Sequence, residues 1–182
     1  MMKATIWHLA HGRRLELGPR AVIMGVLNVT PDSFSDGGRY DAVDAAVRHA
    51  REMAEEGADI IDIGGESTRP GHDPVSLEEE LRRVIPVIQA VCESVKLPIS
   101  IDTYKSETAR AAMEAGAHIM NDVWGFKRDA RMAEVAAEYG CPVILMHNRE
   151  SVDYADMVPD VVADLLASVA RARAAGVAEE NI

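Results

Sequence analysis

The chain has 182 residues, of which 48% are hydrophobic, and a formal net charge of −11. Its length and composition fit a single globular domain with a real core, and no apolar run is long enough to cross a bilayer. The acidic balance argues against nucleic acid as a partner, because phosphate contacts need a basic surface.

The N-terminus carries Lys3 but no apolar segment ending at a small-residue cleavage site, so a cytoplasmic location is expected. Cys92 and Cys141 show no metal-ligand spacing and read as buried, reduced thiols.

Residues 4–17 read as a hairpin, with ATIWHLA and RRLELG alternating loosely around a turn at His11-Gly12. A strand over 22–29 follows and ends in Asn28, after which Pro31 opens a small-residue, acid-bearing loop. From Asp41 to Glu56, Val43, Ala46, Val47, Ala50, Met53 and Ala54 share one helical face, and Gly57 stops the helix. Ala58 to Gly64 has the nearly continuous apolar character of a parallel strand covered on both faces. Ser76 with Glu79 makes a capping box for a helix whose stripe is Leu77, Leu81, Val84, Ile88, Val91 and Val95. Pro86 inside that stripe predicts a kink or a two-piece helix.

Then come strand Ile99–Asp102, helix Lys105–Ala115, strand His118–Val123, helix Ala130–Tyr139 and strand Pro142–His147. A last helix, from about Pro159 to Ala175, is expected to turn Val162, Leu165, Leu166 and Val169 inward. Glu179 to Ile182 reads as the approach to a sixth strand.

Strands alternating with helices imply parallel pairing through right-handed crossovers. A nucleotide-binding doubly wound sheet would carry a glycine-rich phosphate loop after its first strand, and neither GxGxxG nor GxxxxGK[ST] stands there. The expected fold is therefore α/β: a (β/α)8 TIM barrel, here the N-terminal hairpin and about five βα units. Such a barrel takes about 250 residues, so a single domain incomplete at its C-terminus is expected.

The strand endings carry the chemistry. Asn28, then Asp62 and Glu66, Asp102, Asn121 and Asp122, and His147 with Asn148 close successive strands, and in a barrel they converge at one mouth. Asp102 either caps the helix beginning near Lys105 or, as a buried acceptor-only carboxylate, faces a heterocycle with adjacent N–H donors. Asn121 offers donor and acceptor to an amide-like ring edge, or ties buried backbone. Asp122 alternates away from it, so one of the two faces the barrel. Asn28 is an uncharged oxygen donor of the kind that suits Mg²⁺ held together with waters and substrate phosphates. Thr68 and Arg69 are a hydroxyl and a fork-shaped cation; the arginine is either solvated or holds an anionic substrate bidentately. His147 reads as an ordinary strand-end histidine. A generic metal or Schiff-base aldolase barrel finds no HxH pair and no strand-borne lysine.

Four motifs, LNVTPDSFSDGG (27–38), IDIGGESTRPG (61–71), SIDTYK (100–105) and MNDVWG (120–125), resemble those of the dihydropteroate synthases in order and spacing. The resemblance covers essentially the whole chain. It implies a folate-biosynthesis transferase, the target of sulfonamides. Such an enzyme joins 6-hydroxymethyl-7,8-dihydropterin diphosphate to p-aminobenzoate and releases diphosphate.

Carried over by motif, Asp102 and Asn121 bind the pterin, Met146 lines its pocket, and Asn28 serves Mg²⁺ and diphosphate. Thr68 touches substrate, and Arg69 shapes the loop that closes over the site. Phe34 covers the p-aminobenzoate pocket, and Asp36 stabilises the reacting pterin carbon. Asp36 and Arg69 are thus the residues assigned to catalysis. The family's usual homodimer is expected of the full-length protein. The rivals are a pterin-binding methyltransferase domain and an inactive fragment or paralogue. The family continues with DPGxGF, SRK and Arg-x-His motifs, and a chain truly ending at Ile182 is expected to be inactive.

Overall fold

Five short runs rich in isoleucine, valine and leucine become the strands of one parallel sheet, preceded by a small antiparallel hairpin. The computed structural model describes residues 4–18, 20–30, 39–67 and 74–182. In the hairpin, β1 (Thr5–His8) pairs with β2 (Arg14–Leu17), Ile6 opposite Glu16. A 3₁₀ turn at Ala10–Gly12 joins them, with His11 in the left-handed region at φ 57°.

The parallel sheet runs β3 (Met24–Asn28), β4 (Ile60–Gly64), β5 (Ile99–Asp102), β6 (Ile119–Asp122) and β7 (Val143–Leu145), each hydrogen-bonded to the next in chain order. Between and after them come α1 (Arg39–Glu55), α2 (Leu77–Ser94), α3 (Ser106–Glu114), α4 (Arg131–Tyr139) and α5 (Met157–Ala175). Consecutive helices pack against one another along the sheet. Five βα units in sequential strand order are the wall pattern of a (β/α)8 barrel rather than of a doubly wound sheet, whose strand order reverses.

Alternation along each strand sorts side chains between two faces. Leu27, Ile61, Ile63, Ile99, Ile101 and Met120 point outward into the helix layer, where they meet Ala46, Val84, Ile88, Ala109, Met113 and Ala136. Ile60 and Ile119 point inward and pack with Leu9, Trp7, Leu15 and Ile144, so the hairpin closes the N-terminal end of the inner face. Full burial of each large aliphatic side chain contributes about 1.5–3 kcal/mol, which makes the outer layer the main source of cohesion. Both cysteines are free, and burial drives the Cys141 thiol up to about 12, so it is chemically quiet. Among the described residues no helix is long and apolar enough to cross a membrane.

Two expectations change. Helix α2 runs unbroken through Pro86, because Val84, Val87, Ile88 and Val91 are all buried on its inner side and hold it together. On α5 the buried line is Ser168 and Ala172; of the four residues expected inward, Leu165 and Val169 are half-buried, whereas Val162 and Leu166 are 49% and 62% exposed. Small residues mark that seam because α5 approaches Gly125 so closely that a Cβ there would lie 2.6 Å from Ser168 Oγ. Glu179–Asn181, read from the sequence as the approach to a sixth strand, forms a 3₁₀ turn, and Asn181 Nδ2 donates to the Gly140 carbonyl at 3.2 Å.

His118, only 5% exposed just before β6, accepts the Ile99 N–H at Nδ1, 3.0 Å away, and meets His11 edge-on. Burial, with Arg13 and His11 nearby, pushes its pKa from 6.5 down to about 4. The depressed pKa means the folded state stays neutral while the unfolded chain takes up a proton. Stability is therefore fully present above pH 6.5 and falls as the pH drops toward 4, by about 3 kcal/mol in all. In urea unfolding across that window, the wild type is expected to lose this amount relative to His118→Gln. A constant difference between the two would contradict the assignment.

Candidate functional site

The in-register ladder sets which polar groups stand level. Asn28 pairs with Gly64, Gly64 with Asp102, Asp102 with Asn121, and Asn121 with Ile144. These residues form the top rung of the inner face at the C-terminal strand ends. One rung below stand Val26, Asp62, Ser100 and Ile119. Gly64 has no side chain to fill the space between Asn28 and Asp102; a Cβ there would sit 3.5 Å from Asp102 Oδ2.

Asp102 has a buried oxygen, Oδ1, with no hydrogen-bond partner among the described residues. Burial, reinforced by the negative charges of Asp62, Asp122, Glu80 and Glu66, pushes its carboxyl up to about 7. It does not cap α3. Thr103 Oγ1 accepts the Lys105 N–H at 3.2 Å and Asp129 accepts the Ser106 N–H at 3.0 Å, which leaves Asp102 free for the mouth.

Asn121 donates through Nδ2 to Asp62 Oδ2 at 3.0 Å, so its amide is engaged by a side chain rather than by backbone. Asp122 faces the other way, fully buried, and its two oxygens accept the N–H groups of Trp124 and Phe126, both at 2.8 Å. That carboxylate holds Gly125 and Phe126 at φ 59° and 62°, a costly backbone for a non-glycine residue. The turn after the top rung is thereby fixed.

A second layer of charge braces the neighbouring strand ends. Glu80 of α2, 1% exposed, accepts from Thr103 Oγ1 at 2.7 Å, Lys105 Nζ at 2.7 Å and Thr108 Oγ1 at 3.3 Å. Lys105 also donates to Glu66 at 2.5 Å, and Tyr104 donates to Glu66 at 2.7 Å. Desolvation opposes the Lys105 charge, but its bonds to Glu66 and Glu80 outweigh it and raise the pKa. α2 lies so close over this corner that a Cβ on Gly65 would stand 2.7 Å from Val84 Cγ1.

Of the residues singled out in the sequence, Asn28, Asp102 and Asn121 share the top rung. Asn28 is exposed at the end of β3. Met146, 46% exposed, follows β7, and its N–H bonds the Asp122 carbonyl at 3.2 Å. Phe34, Asp36, Thr68 and Arg69 lie outside the described residues. His147 lies past the end of β7 and is drawn into the following loop. Its Nε2 is 2.9 Å from the Tyr154 hydroxyl, and its Nδ1 is 3.2 Å from Asp164.

Sequence reasoning left Glu80, Lys105 and the Asp62–Asn121 bond without a part. For Glu80 the signal was present: an acid four residues before Val84 falls on the helix's buried line. For Asp62 the signal was its two-residue spacing from Gly64, which puts both on one face.

Removing Lys105 leaves Glu66 and Glu80 buried without their cation. Lys105→Met is expected to cost about 3–5 kcal/mol in urea unfolding, with Lys105→Arg milder. A loss below about 1 kcal/mol would show that the network is not bracing this corner.

Residues 24–182 match the family model described as "Pterin binding enzyme". The dihydropteroate synthase of Clostridium beijerinckii is 53% identical over 170 residues, covering 93% of this chain and 63% of its own. That of Bacillus subtilis is 56% identical over 163 residues, covering 90% and 57%. The chain thus spans about three fifths of the length of these curated relatives. Among solved structures, dihydropteroate synthase from Clostridium difficile in the presence of pteroic acid superposes with a TM-score of 0.87 at 49% identity, over 90% of this chain and 62% of that one. The Xanthomonas albilineans enzyme with 4-aminobenzoic acid superposes at 0.88 and 46% identity, over 96% and 64%.

Proposed function

The chain belongs to the pterin-binding enzyme family, and on that premise we propose that the protein is a dihydropteroate synthase. Its reaction condenses 6-hydroxymethyl-7,8-dihydropterin diphosphate with p-aminobenzoate to give 7,8-dihydropteroate and diphosphate. The observation that carries this reading is the buried, unpartnered oxygen of Asp102 level with Asn121, beside the open position at Gly64. A buried acceptor without a donor is costly, and a pterin's amino and ring N–H groups supply the missing partners. A neighbour's complex with 7,8-dihydropteroate fits the same reading.

Asp102 and Asn121 hold and orient the pterin, and Met146 adds apolar surface at its edge. Asn28 would hold Mg²⁺ together with the substrate's diphosphate. Its exposed amide oxygen fits a cation that takes few protein ligands, and among the described residues no cluster of His, Cys, Asp or Glu offers a fuller cage. Bound there, Mg²⁺ supplies charge neutralisation to the departing diphosphate.

The aromatic amine of p-aminobenzoate is neutral near pH 7, so it attacks without deprotonation. The new C–N bond forms as the C–O bond to diphosphate breaks, and the amine proton leaves to solvent. Asp36 stabilises positive charge developing on the pterin carbon, Thr68 touches substrate, and Arg69 shapes the loop that closes over the site. Phe34 covers the p-aminobenzoate pocket. A cytoplasmic homodimer, open to sulfonamide competition with p-aminobenzoate, belongs to the same reading.

The test is product formation by the full-length protein from the pterin diphosphate, p-aminobenzoate and Mg²⁺, with one diphosphate released per dihydropteroate. No product under these conditions would overturn the assignment. Asp36→Asn is expected to lower kcat by about 100-fold or more, the scale of losing a transition-state electrostatic contact, while pterin affinity stays nearly constant. An equal loss of both would remove Asp36 from the chemical step.

A further inference from the structure

Asp62 has no part in the reaction described above, yet it is 3% exposed and ends in a carboxylate on the inner face. None of the ion pairs formed among the described residues gives it a cation, so its burial is not explained by charge pairing. Burial raises its pKa on balance, and the Asn121 hydrogen bond to Oδ2 opposes that shift, while Oδ1 has no hydrogen-bond partner among the described residues. Ser100 stands opposite it in the ladder and is fully buried. The Asn121 bond, at 3.0 Å, comes from the rung above.

An ionised carboxylate only accepts hydrogen bonds, whereas an amide side chain has one accepting end and one donating end. With Asp62 beneath it, Asn121 has one favourable orientation: Nδ2 toward Asp62 and Oδ1 away from it. Reversing the amide would set two acceptors against each other in a desolvated place, at the cost of a lost bond plus repulsion.

On the proposed pterin reading, we infer that Asp62 is the specificity-determining positioning residue of this site, fixing the Asn121 amide so that Asn121 Oδ1 and Asp102 Oδ1 together present acceptors to the ligand. Such a pair selects a heterocycle whose edge carries adjacent N–H donors, as a 2-amino-4-oxo ring does. It rejects the 2,4-dioxo analogue, which turns a carbonyl oxygen toward those acceptors. Sites built to meet donors discriminate sharply against ligands that lack them, because the site's own polar groups are then left unpaired. Asp62 touches neither ligand in this account. It acts through Asn121.

The experiment is calorimetric binding of 6-hydroxymethylpterin and 6-hydroxymethyllumazine to the full-length protein and its Asp62→Asn variant. The wild type is expected to favour the pterin by about 100-fold or more. Asp62→Asn keeps the shape but accepts or donates at will, so Asn121 can turn over, and the preference should shrink at least about tenfold. Ser100→Ala removes a neighbour of Asp62 without freeing Asn121 and should keep the preference. If Asp62→Asn weakens both ligands equally, Asp62 is merely structural and the inference fails. A wild type that binds neither compound overturns the pterin reading and this inference with it. A wild type that binds both equally overturns the inference alone. Should Asp62→Asn fail to fold, hydrogen exchange of the Asn121 side-chain amide in the wild type decides. Protection of one N–H supports the bond to Asp62, and exchange at the solvent rate contradicts it.

Discussion

Burying carboxylates on the inner face of a parallel sheet without a cation beside them is the constraint on which the site's architecture depends. Parallel pairing places Asp62 opposite Ser100 and Asp102 opposite Asn121. Neither acid has room to turn away, since the outward direction belongs to the isoleucine layer under the helices. Each must then be met by a donor from the same wall or stay unpaired. Asp62 is met by Asn121 at one oxygen, Oδ2, and its Oδ1 stays unpaired among the described residues. One oxygen of Asp102 is likewise not met, and burial together with the neighbouring negative charges raises its pKa. Lys105, the cation at the end of the same strand, is held by Glu66 and Glu80.

The surrounding structure keeps this arrangement from relaxing. Asp122 locks the turn after β6 through two backbone N–H groups, so Asn121 is held at the rung where Asp62 can reach it. Glu80 and Lys105 tie α2 to the end of β5, and the absence of a side chain at Gly65 lets α2 come down onto that corner. The hairpin fills the opposite end of the inner face with Leu9, Trp7 and Leu15, so the polar rungs open at one end only. Preorganisation of this kind is what lets a small number of polar groups select a ligand.

Much of this was legible along the chain because strand and helix periods are local properties. The alternation that separates Asn121 from Asp122 needed only the two-residue repeat, and the Ser76 cap needed only its spacing to Glu79, whose N–H it accepts. What was not legible depended on contacts between elements. The inward line of α5 is set by close approach to Gly125, so serine and alanine face in while Leu166 faces out. Pro86 is absorbed because tertiary packing holds the helix on either side of it. The Asp62–Asn121 bond joins residues 59 apart in sequence, and no local pattern announces it. The parts proposed for Phe34, Asp36, Thr68 and Arg69 rest on motif resemblance alone, whereas those proposed for Asp102 and Asn121 also rest on geometry.

The central claim is that Asp102 waits as an unsatisfied acceptor until a donor-bearing heterocycle arrives. The carboxyl ¹³C shift of Asp102, followed by NMR against pH with and without 6-hydroxymethylpterin, tests it most directly. The free protein should titrate near pH 7, where burial and the charges of Asp62, Asp122, Glu80 and Glu66 place it. The complex should hold the ionised form to well below that, since N–H donors favour the charged state. A free-protein midpoint near 4, unchanged by ligand, would contradict the account.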